Sequence, residues 1–197
     1  MTTTDGPLSR VVFWAPIDRP GFEHLRLCAA DGGFVAAGVV MGVDMAIPFR
    51  LHYKIKGDAG WNTRKVILEI HTQSGETLRT LRSNGQGRWR TDRGEEIAQL
   101  EGCRDVDISA TPFTNTLAIN RLKLKPGQQA KIRAVYVKVP SLAIRPVEQR
   151  YTAVEATARG GRVLYEGLFR NFRAELAVDA DGLVLDYPEA FRRVYPV

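Results

Sequence analysis

The chain has 197 residues, 44% of them hydrophobic and 25% charged, with 18 glycines and 10 prolines. These are ordinary globular values, and they exclude collagen-like, coiled-coil and disordered classes. A chain of this length buries roughly 70% of its unfolded surface, so it needs neither metal nor disulfide to hold a core. The formal net charge of +6 is only a weak argument for an anionic partner.

No targeting or membrane-spanning segment is predicted. The longest apolar run, from Phe34 to Val43, is about half the ~20 residues that a membrane-spanning helix needs. The N-terminus lacks a basic region followed by an apolar core, and Cys28 and Cys103 are too few for a disulfide framework. We therefore expect one cytoplasmic domain over residues 1–197.

Alternation of apolar and polar residues, the pattern of half-buried strands, dominates the chain. From Arg50 to Lys56 it places Leu51, Tyr53 and Ile55 on one face and the basic residues on the other. The predicted strands are Arg10–Ala15, Glu23–Ala30, Phe34–Asp44, Arg50–Lys56, Thr63–Ser74, Thr77–Arg82, Gly87–Thr91, Ala98–Leu100, Asp105–Ile108, Gln129–Val139, Glu148–Ala158, Arg162–Phe169, Arg173–Asp179 and Leu183–Tyr187. The third alternates little, which predicts a strand covered on both faces. So many consecutive strands predict a mainly β fold, an antiparallel sheet that curls.

Helix is predicted at two places only. Pro112–Leu122 has Thr111 as N-cap and proline at the first position, where proline is tolerated. A last helical turn is expected over Pro188–Val194, which begins with proline and ends in basic residues. The absence of strand–helix alternation argues against a nucleotide-binding parallel sheet.

The sequence offers little for metal or cofactor chemistry. There is no Gly-x-Ser-x-Gly elbow and no phosphate-binding loop. The histidines form no HxxxH or HxH pair, and the cysteines are far apart, so no metal site and no cofactor are expected.

Three polar segments remain. Asp105 and Asp107 share a strand face about 7 Å apart, either as an acid/base pair or as structural carboxylates that are paired with arginines such as Arg64 or satisfied by backbone donors. The segment from Thr111 to Thr116 is either local capping chemistry or a set of donors for a hydroxyl-rich ligand. The acid-free stretch from Ser109 to Val147 is basic but poor in aromatic residues, which favours a solvated face over specific nucleic-acid binding.

The run from Gly102 to Asp107, followed by Thr111-Pro-Phe-Thr-Asn-Thr-Leu117, resembles the signature of a bacterial glycolipid-binding family, once a domain of unknown function. Supporting marks are Trp14, Pro20-Gly-Phe-Glu23, Trp61 with Arg64, Trp89, Val139-Pro140, Gln149-Arg-Tyr151 and Gly182-Leu-Val-Leu-Asp-Tyr-Pro188. The resemblance covers nearly the whole chain. It implies a fold similar to the periplasmic lipoprotein carriers: a curved antiparallel sheet forming a half-barrel, with a short helix plugging its mouth.

Three functions follow from these observations. The first is binding of a lipid or glycolipid in the apolar concavity, met inside the cell or at the inner membrane face. The second is a cofactor-free enzyme acting on a hydrophobic small molecule through Asp105 or Asp107. The third is a nucleic-acid or protein-interaction role for the basic stretch. For the first, the expected ligand-binding residues are Tyr53, Trp61, Arg64, Trp89, Thr111, Phe113, Thr114, Asn115, Gln149 and Tyr151.

Overall fold

The computed structural model describes residues 8–196, and most of them lie in strands of one large, open, curved sheet. In the described chain the strands are β1 (Ser9–Pro16), β2 (Gly21–Ala30), β3 (Gly33–Asp44), β4 (Ile47–Asp58), β5 (Thr63–Thr72), β6 (Gly75–Ser83), β7 (Trp89–Thr91), β8 (Asp105–Ile108), β9 (Gln129–Lys138), β10 (Ala143–Thr157), β11 (Gly160–Gly167), β12 (Phe172–Asp179), β13 (Val184–Tyr187) and β14 (Phe191–Tyr195). Helix α1 spans Phe113–Leu122, and a short 3₁₀ turn spans Ala98–Leu100.

The sheet consists of two meanders joined through the chain ends. Strands β1 to β7 pair in sequence, as do β9 to β14, and β1 pairs with β14. All pairings are antiparallel except that of β8 with β9. The edge strand β7 contacts the segment that precedes β8, where the Trp89 indole N–H donates to the Cys103 carbonyl oxygen at 2.7 Å. The predicted mainly β fold, a curved sheet with one short helix, is confirmed.

The inner face of the sheet is the apolar face that alternation predicts. Leu51, Tyr53 and Ile55 of β4 are buried, as are the alternate residues of β5, whereas Lys54 and Lys56 are exposed. Because alternate side chains of a strand point to opposite faces, one apolar set per strand suffices to build the core.

Two local predictions are wrong. Pro188–Val194 is not helical: Phe191–Tyr195 forms β14, which lies between β1 and β13 and fills their pairing edges. Ala98–Leu100 is a 3₁₀ turn and not a strand, because it lies in the connection that crosses from one sheet edge to the other. The formation of β14 comes from long-range pairing that local residue preferences do not encode.

The prediction that the third strand is covered on both faces is also wrong. In β3, Phe34, Ala36 and Val40 are buried, but Ala37 and Met41 of the opposite face are exposed. The outer face of β3 is therefore apolar in composition, but no other element of the described chain buries it.

Helix α1 lies between two apolar clusters of the sheet. Phe113 and Leu117 pack with the cluster built mainly on β1 to β9, and Ala118 packs with the cluster of β10 to β14. Thr111 precedes the helix, and its Oγ1 accepts the Phe113 N–H at 3.0 Å. Lys123 ends the helix in the left-handed conformation. Among residues 8–196, no helix has the length and apolar character to cross a bilayer.

Candidate functional site

Two cavities adjoin the two ends of helix α1. The first, about 450 Å³, lies at its C-terminal half and is called the apolar cavity; its apolar lining includes Leu8, Trp61, Ile119, Leu122, Leu124, Tyr151, Ala153, Val163 and Val178. The second, about 380 Å³, lies at the N-terminal end and is called the polar cavity; its lining includes Asp107, Ser109, Thr111, Asn115, Tyr136, Tyr165, Arg170, Phe172, Tyr187 and Phe191. Both volumes are in the range of small-molecule sites.

The apolar cavity has aliphatic walls and a polar rim. Trp61 is half-buried at this cavity and stacks on Phe34 with ring centroids 4.5 Å apart. At the rim, the Asn120 amide donates to the Asp181 carbonyl oxygen at 2.8 Å. Gly182 allows this approach, since a Cβ there would lie 2.4 Å from Asn120 Oδ1. The helix end is thereby fixed over the cavity.

The polar cavity is organised around Asp107. Its Oδ2 accepts from Gln149 Nε2 at 2.6 Å, and its Oδ1 accepts from Thr114 Oγ1 at 3.4 Å. Burial raises the pKa of Asp107, while Arg170 and the two hydrogen bonds oppose the shift. Burial also raises the pKa of Tyr165 and of Tyr187, so both hydroxyls remain neutral donors at physiological pH.

A hydrogen-bonded partition separates the two cavities. The Tyr151 hydroxyl, on the apolar side, donates to Asn115 Oδ1 at 3.0 Å, and Asn115 lines the polar cavity. The Asn115 amide nitrogen in turn donates to the Pro112 carbonyl oxygen at 3.3 Å. Gln149 joins the partition to Asp107 and to the Tyr165 hydroxyl, which it contacts at 3.1 Å.

A buried carboxyl group anchors the N-terminal end of the helix. Glu23 is 1% exposed, and its Oε1 accepts from the Tyr53 hydroxyl at 2.5 Å and from Thr111 Oγ1 at 2.7 Å. Burial raises the pKa of Glu23 to about 8, against the hydrogen bonds from Tyr53 and Thr111. Gly38 makes room for this contact, because a Cβ there would lie 2.2 Å from the Tyr53 ring.

The structure brings most of the predicted site residues together. Phe113, Thr114 and Asn115 lie in the N-terminal half of α1. Next to them lie Thr111, Gln149 and Tyr151. The Tyr53 hydroxyl and Thr111 both donate to Glu23, which connects Tyr53 to this group. Trp61 lies apart, at the apolar cavity. Trp89 is fully buried in the core. Arg64 is exposed and bonded to the Asn84 carbonyl oxygen.

The two acids of the predicted pair have different surroundings. Asp105 forms a buried ion pair with Arg121, whose Nε and Nη2 donate at 2.9 and 2.5 Å. Asp105 is thus paired with an arginine, as expected for a structural carboxylate, but Arg64 is the wrong partner, since it approaches Asp58, at 3.8 Å. Only Asp107 lines a cavity.

Sequence reasoning missed Glu23 and Arg170 as site residues. Glu23 occupies the inward position of β2 in register with Leu25 and Leu27, and an acid at such a position was the available signal. Arg170 lies in the turn between β11 and β12, where no periodicity points to a partner.

Glu69, His71 and Glu76 form a separate cluster on β5 and β6, with ligand atoms within 4.8 Å of one another. The His71 ring Nε2 lies 2.8 Å from Glu69 Oε1, and this hydrogen bond lowers the pKa of Glu69. The three side chains are half-buried or exposed, and none of them lines either cavity. The Glu69–His71 hydrogen bond and the cross-strand pairing of His71 with Glu76 account for their proximity.

Comparison with known proteins identifies the family of the chain. It is similar to a DUF1089 family protein from Pseudomonas aeruginosa, with 36% identity, a TM-score of 0.81, and coverage of 88% of this chain and 92% of that one. It is also similar in fold to a β-barrel-like DUF1849 protein from Brucella abortus, with 10% identity, a TM-score of 0.55, and coverage of 95% and 94%. No curated protein matches. The sequence model of the family described as "Putative glycolipid-binding" matches residues 11–193, and the chain belongs to that family.

Proposed function

We propose that the protein binds a lipid or glycolipid as a carrier or sensor, with the aliphatic chain in the apolar cavity. The observation that carries the proposal is an apolar cavity of about 450 Å³ beside the C-terminal half of α1. Each buried CH₂ of a chain contributes about 0.8 kcal/mol, so a cavity of this kind favours aliphatic ligands. The family description supports the same class of ligand.

The rim of the apolar cavity suits the polar end of such a molecule. Asn120, Lys123, Glu155 and Asp181 all line the cavity alongside its aliphatic residues. A bound amphiphile would keep its headgroup hydrated at this rim while its chain leaves water.

Displacement of a fluorescent fatty-acyl probe tests the proposal. Ala153 lines the cavity, so Ala153→Leu should fill it and reduce probe affinity at least tenfold. Val154 is the next residue of β10, 39% exposed, and Val154→Leu is the matched control that should leave affinity unchanged. Failure of the wild type to take up the probe, or equal binding by both variants, would contradict the proposal.

A second candidate, a cofactor-free enzyme, is favoured by Asp107. Its carboxyl group lines the polar cavity, and burial raises its pKa, a combination frequent in acid/base catalysts. Incubation of a bacterial lipid extract with wild type and with Asp107→Asn, followed by mass spectrometry, separates the candidates. A product formed by wild type alone favours the enzyme, whereas an unaltered extract with both proteins favours the carrier.

A further inference from the structure

The polar cavity is a second site, distinct from the one assigned above to an aliphatic chain. It lies on the other side of the Asn115–Tyr151 hydrogen bond, at the N-terminal end of α1. An aliphatic ligand there would bury the Asp107 carboxyl group and the Tyr165 and Tyr187 hydroxyls without replacing their contacts with water. Whatever binds in this cavity must therefore be polar.

The lining of the polar cavity contains several hydrogen-bond acceptors. Asp107 is held in place by Gln149 and Thr114, and each carboxylate oxygen has a further lone pair for a ligand. Asp44 and Glu189 add acceptors to the lining. Several acceptors in one small cavity match a ligand with several hydroxyl groups.

Arg170, in the same lining, calls for a negatively charged group on the ligand. Its guanidinium group lies 4.5 Å from the centroid of the Phe172 ring and 5.4 Å from that of Phe169. Among residues 8–196, no carboxylate lies within 4.0 Å of it, whereas Arg19 of the same lining is paired with Asp18 at 3.0 Å. The lining thus contains a cation packed on aromatic rings, and the Asp107 carboxyl group acts on it from beyond 4.0 Å.

The two requirements together define a class of ligand. We propose that the polar cavity binds a hydroxylated ring that carries one acid group, such as an acidic sugar. Its hydroxyl groups donate to Asp107, its acid group pairs with Arg170, and its ring packs on Phe172 and Tyr187, which lie 6.0 Å apart. Since acids also line the cavity, the position of Arg170 and not the net charge selects the anion.

Isothermal titration with sodium glucuronate tests the proposal, with glucose as the neutral counterpart. Wild type should bind glucuronate at least tenfold more tightly than glucose. Because hydrogen bonds to charged groups are the stronger ones, Arg170→Gln should weaken glucuronate binding by about tenfold to a hundredfold and leave glucose unaffected. Arg173→Gln, at an exposed arginine on β12, is the matched control and should change neither.

Octyl glucuronide distinguishes the acidic headgroup of an amphiphile from a free acidic sugar as the ligand. Tighter binding than free glucuronate that Arg170→Gln weakens indicates the headgroup of an amphiphile, and equal binding indicates a free acidic sugar; both outcomes support the site, whereas tighter binding that Arg170→Gln leaves unchanged belongs to the apolar cavity and contradicts it. No heat with glucuronate, equal affinity for glucose, or an unchanged affinity in Arg170→Gln would each overturn it. Ala153→Leu should leave glucuronate binding intact, so failure of the acyl-chain proposal remains distinguishable.

Discussion

The two ends of helix α1 are held by buried acids of opposite character. At the N-terminal end, Glu23 accepts hydrogen bonds from two hydroxyl groups, and burial raises its pKa to about 8. At the C-terminal end, Asp105 faces the guanidinium group of Arg121 at 2.5 Å. The difference is the partner: hydroxyl donors leave burial dominant, so Glu23 holds its proton at neutral pH, whereas a guanidinium group offsets the cost of a buried charge.

The cavities follow the same division. Next to the neutral anchor lies the polar cavity, which Thr111 lines, whereas Asn120 and Leu122, on either side of Arg121, line the apolar cavity. The ion pair therefore holds the C-terminal turn of the helix on the sheet, and the Asn120–Asp181 hydrogen bond fixes that turn over the proposed chain-binding site.

Loss of the Asp105–Arg121 ion pair should have the largest effect on the free energy of unfolding. Arg121→Ala leaves Asp105 buried and unpaired, because the side chains of Arg121 and Asp105 are only 9% and 2% exposed. Removing one partner of a buried pair costs about 3–5 kcal/mol of unfolding free energy. Chemical denaturation measures this loss.

An exposed ion pair provides the control. Lys131 and Glu148 are 2.9 Å apart, with side chains about half exposed. Lys131→Ala should cost no more than about 1 kcal/mol. Equal losses for Arg121→Ala and Lys131→Ala would show that the ion pair does not anchor the helix.

The second effect is a dependence of stability on pH. The folded state holds a proton on Glu23 up to about pH 8, whereas the unfolded carboxyl group releases it near its ordinary 4.5. The unfolding free energy should therefore fall as pH rises between these values, by up to about 1.4 kcal/mol per pH unit. Below pH 4.5 this contribution is constant.

Glu23→Gln isolates that contribution. The amide oxygen of glutamine still accepts from Tyr53 and Thr111 but does not titrate. Asp107 and Asp179 also have raised pKa values, so some slope remains in the variant. The difference between the two profiles belongs to Glu23, and identical profiles would refute the assignment of a neutral acid.

Local sequence predicts the inward face of the sheet and the start of the helix, but not the partners of the buried acids. Alternation in Arg50–Lys56 predicts the inward face, and Thr111-Pro112 predicts the helix start to within one residue. The partners of Glu23 and of Asp105 lie on distant elements, so no local pattern reveals which acid is neutral and which is paired. Arg170 and β14 were missed for the same reason: their contacts depend on how remote strands pair.

A smaller effect is expected midway along the helix, at the partition. Asn115→Ala removes the acceptor for the Tyr151 hydroxyl, whose next partner, Gln149 Oε1, is 3.5 Å away. A buried hydroxyl that loses its partner costs about 1–3 kcal/mol. Denaturation midpoints measure the loss, and Tyr151→Phe, which removes the hydroxyl together with its need for an acceptor, is the comparison. Equal stability of wild type and Asn115→Ala would show that the partition is not held by this bond.

The smallest difference in stability is expected between two variants of Trp61, which lies beside the apolar cavity. Trp61→Ala removes the stacking on Phe34, which contributes about 0.5–1.5 kcal/mol beyond area burial. Trp61 has a φ of +61°, which favours glycine, so Trp61→Gly should be more stable than Trp61→Ala by up to about 1 kcal/mol. Both variants lose the same ring and should bind the fatty-acyl probe equally weakly. Probe affinity that followed stability, and not the ring, would show that Trp61 acts only through the fold.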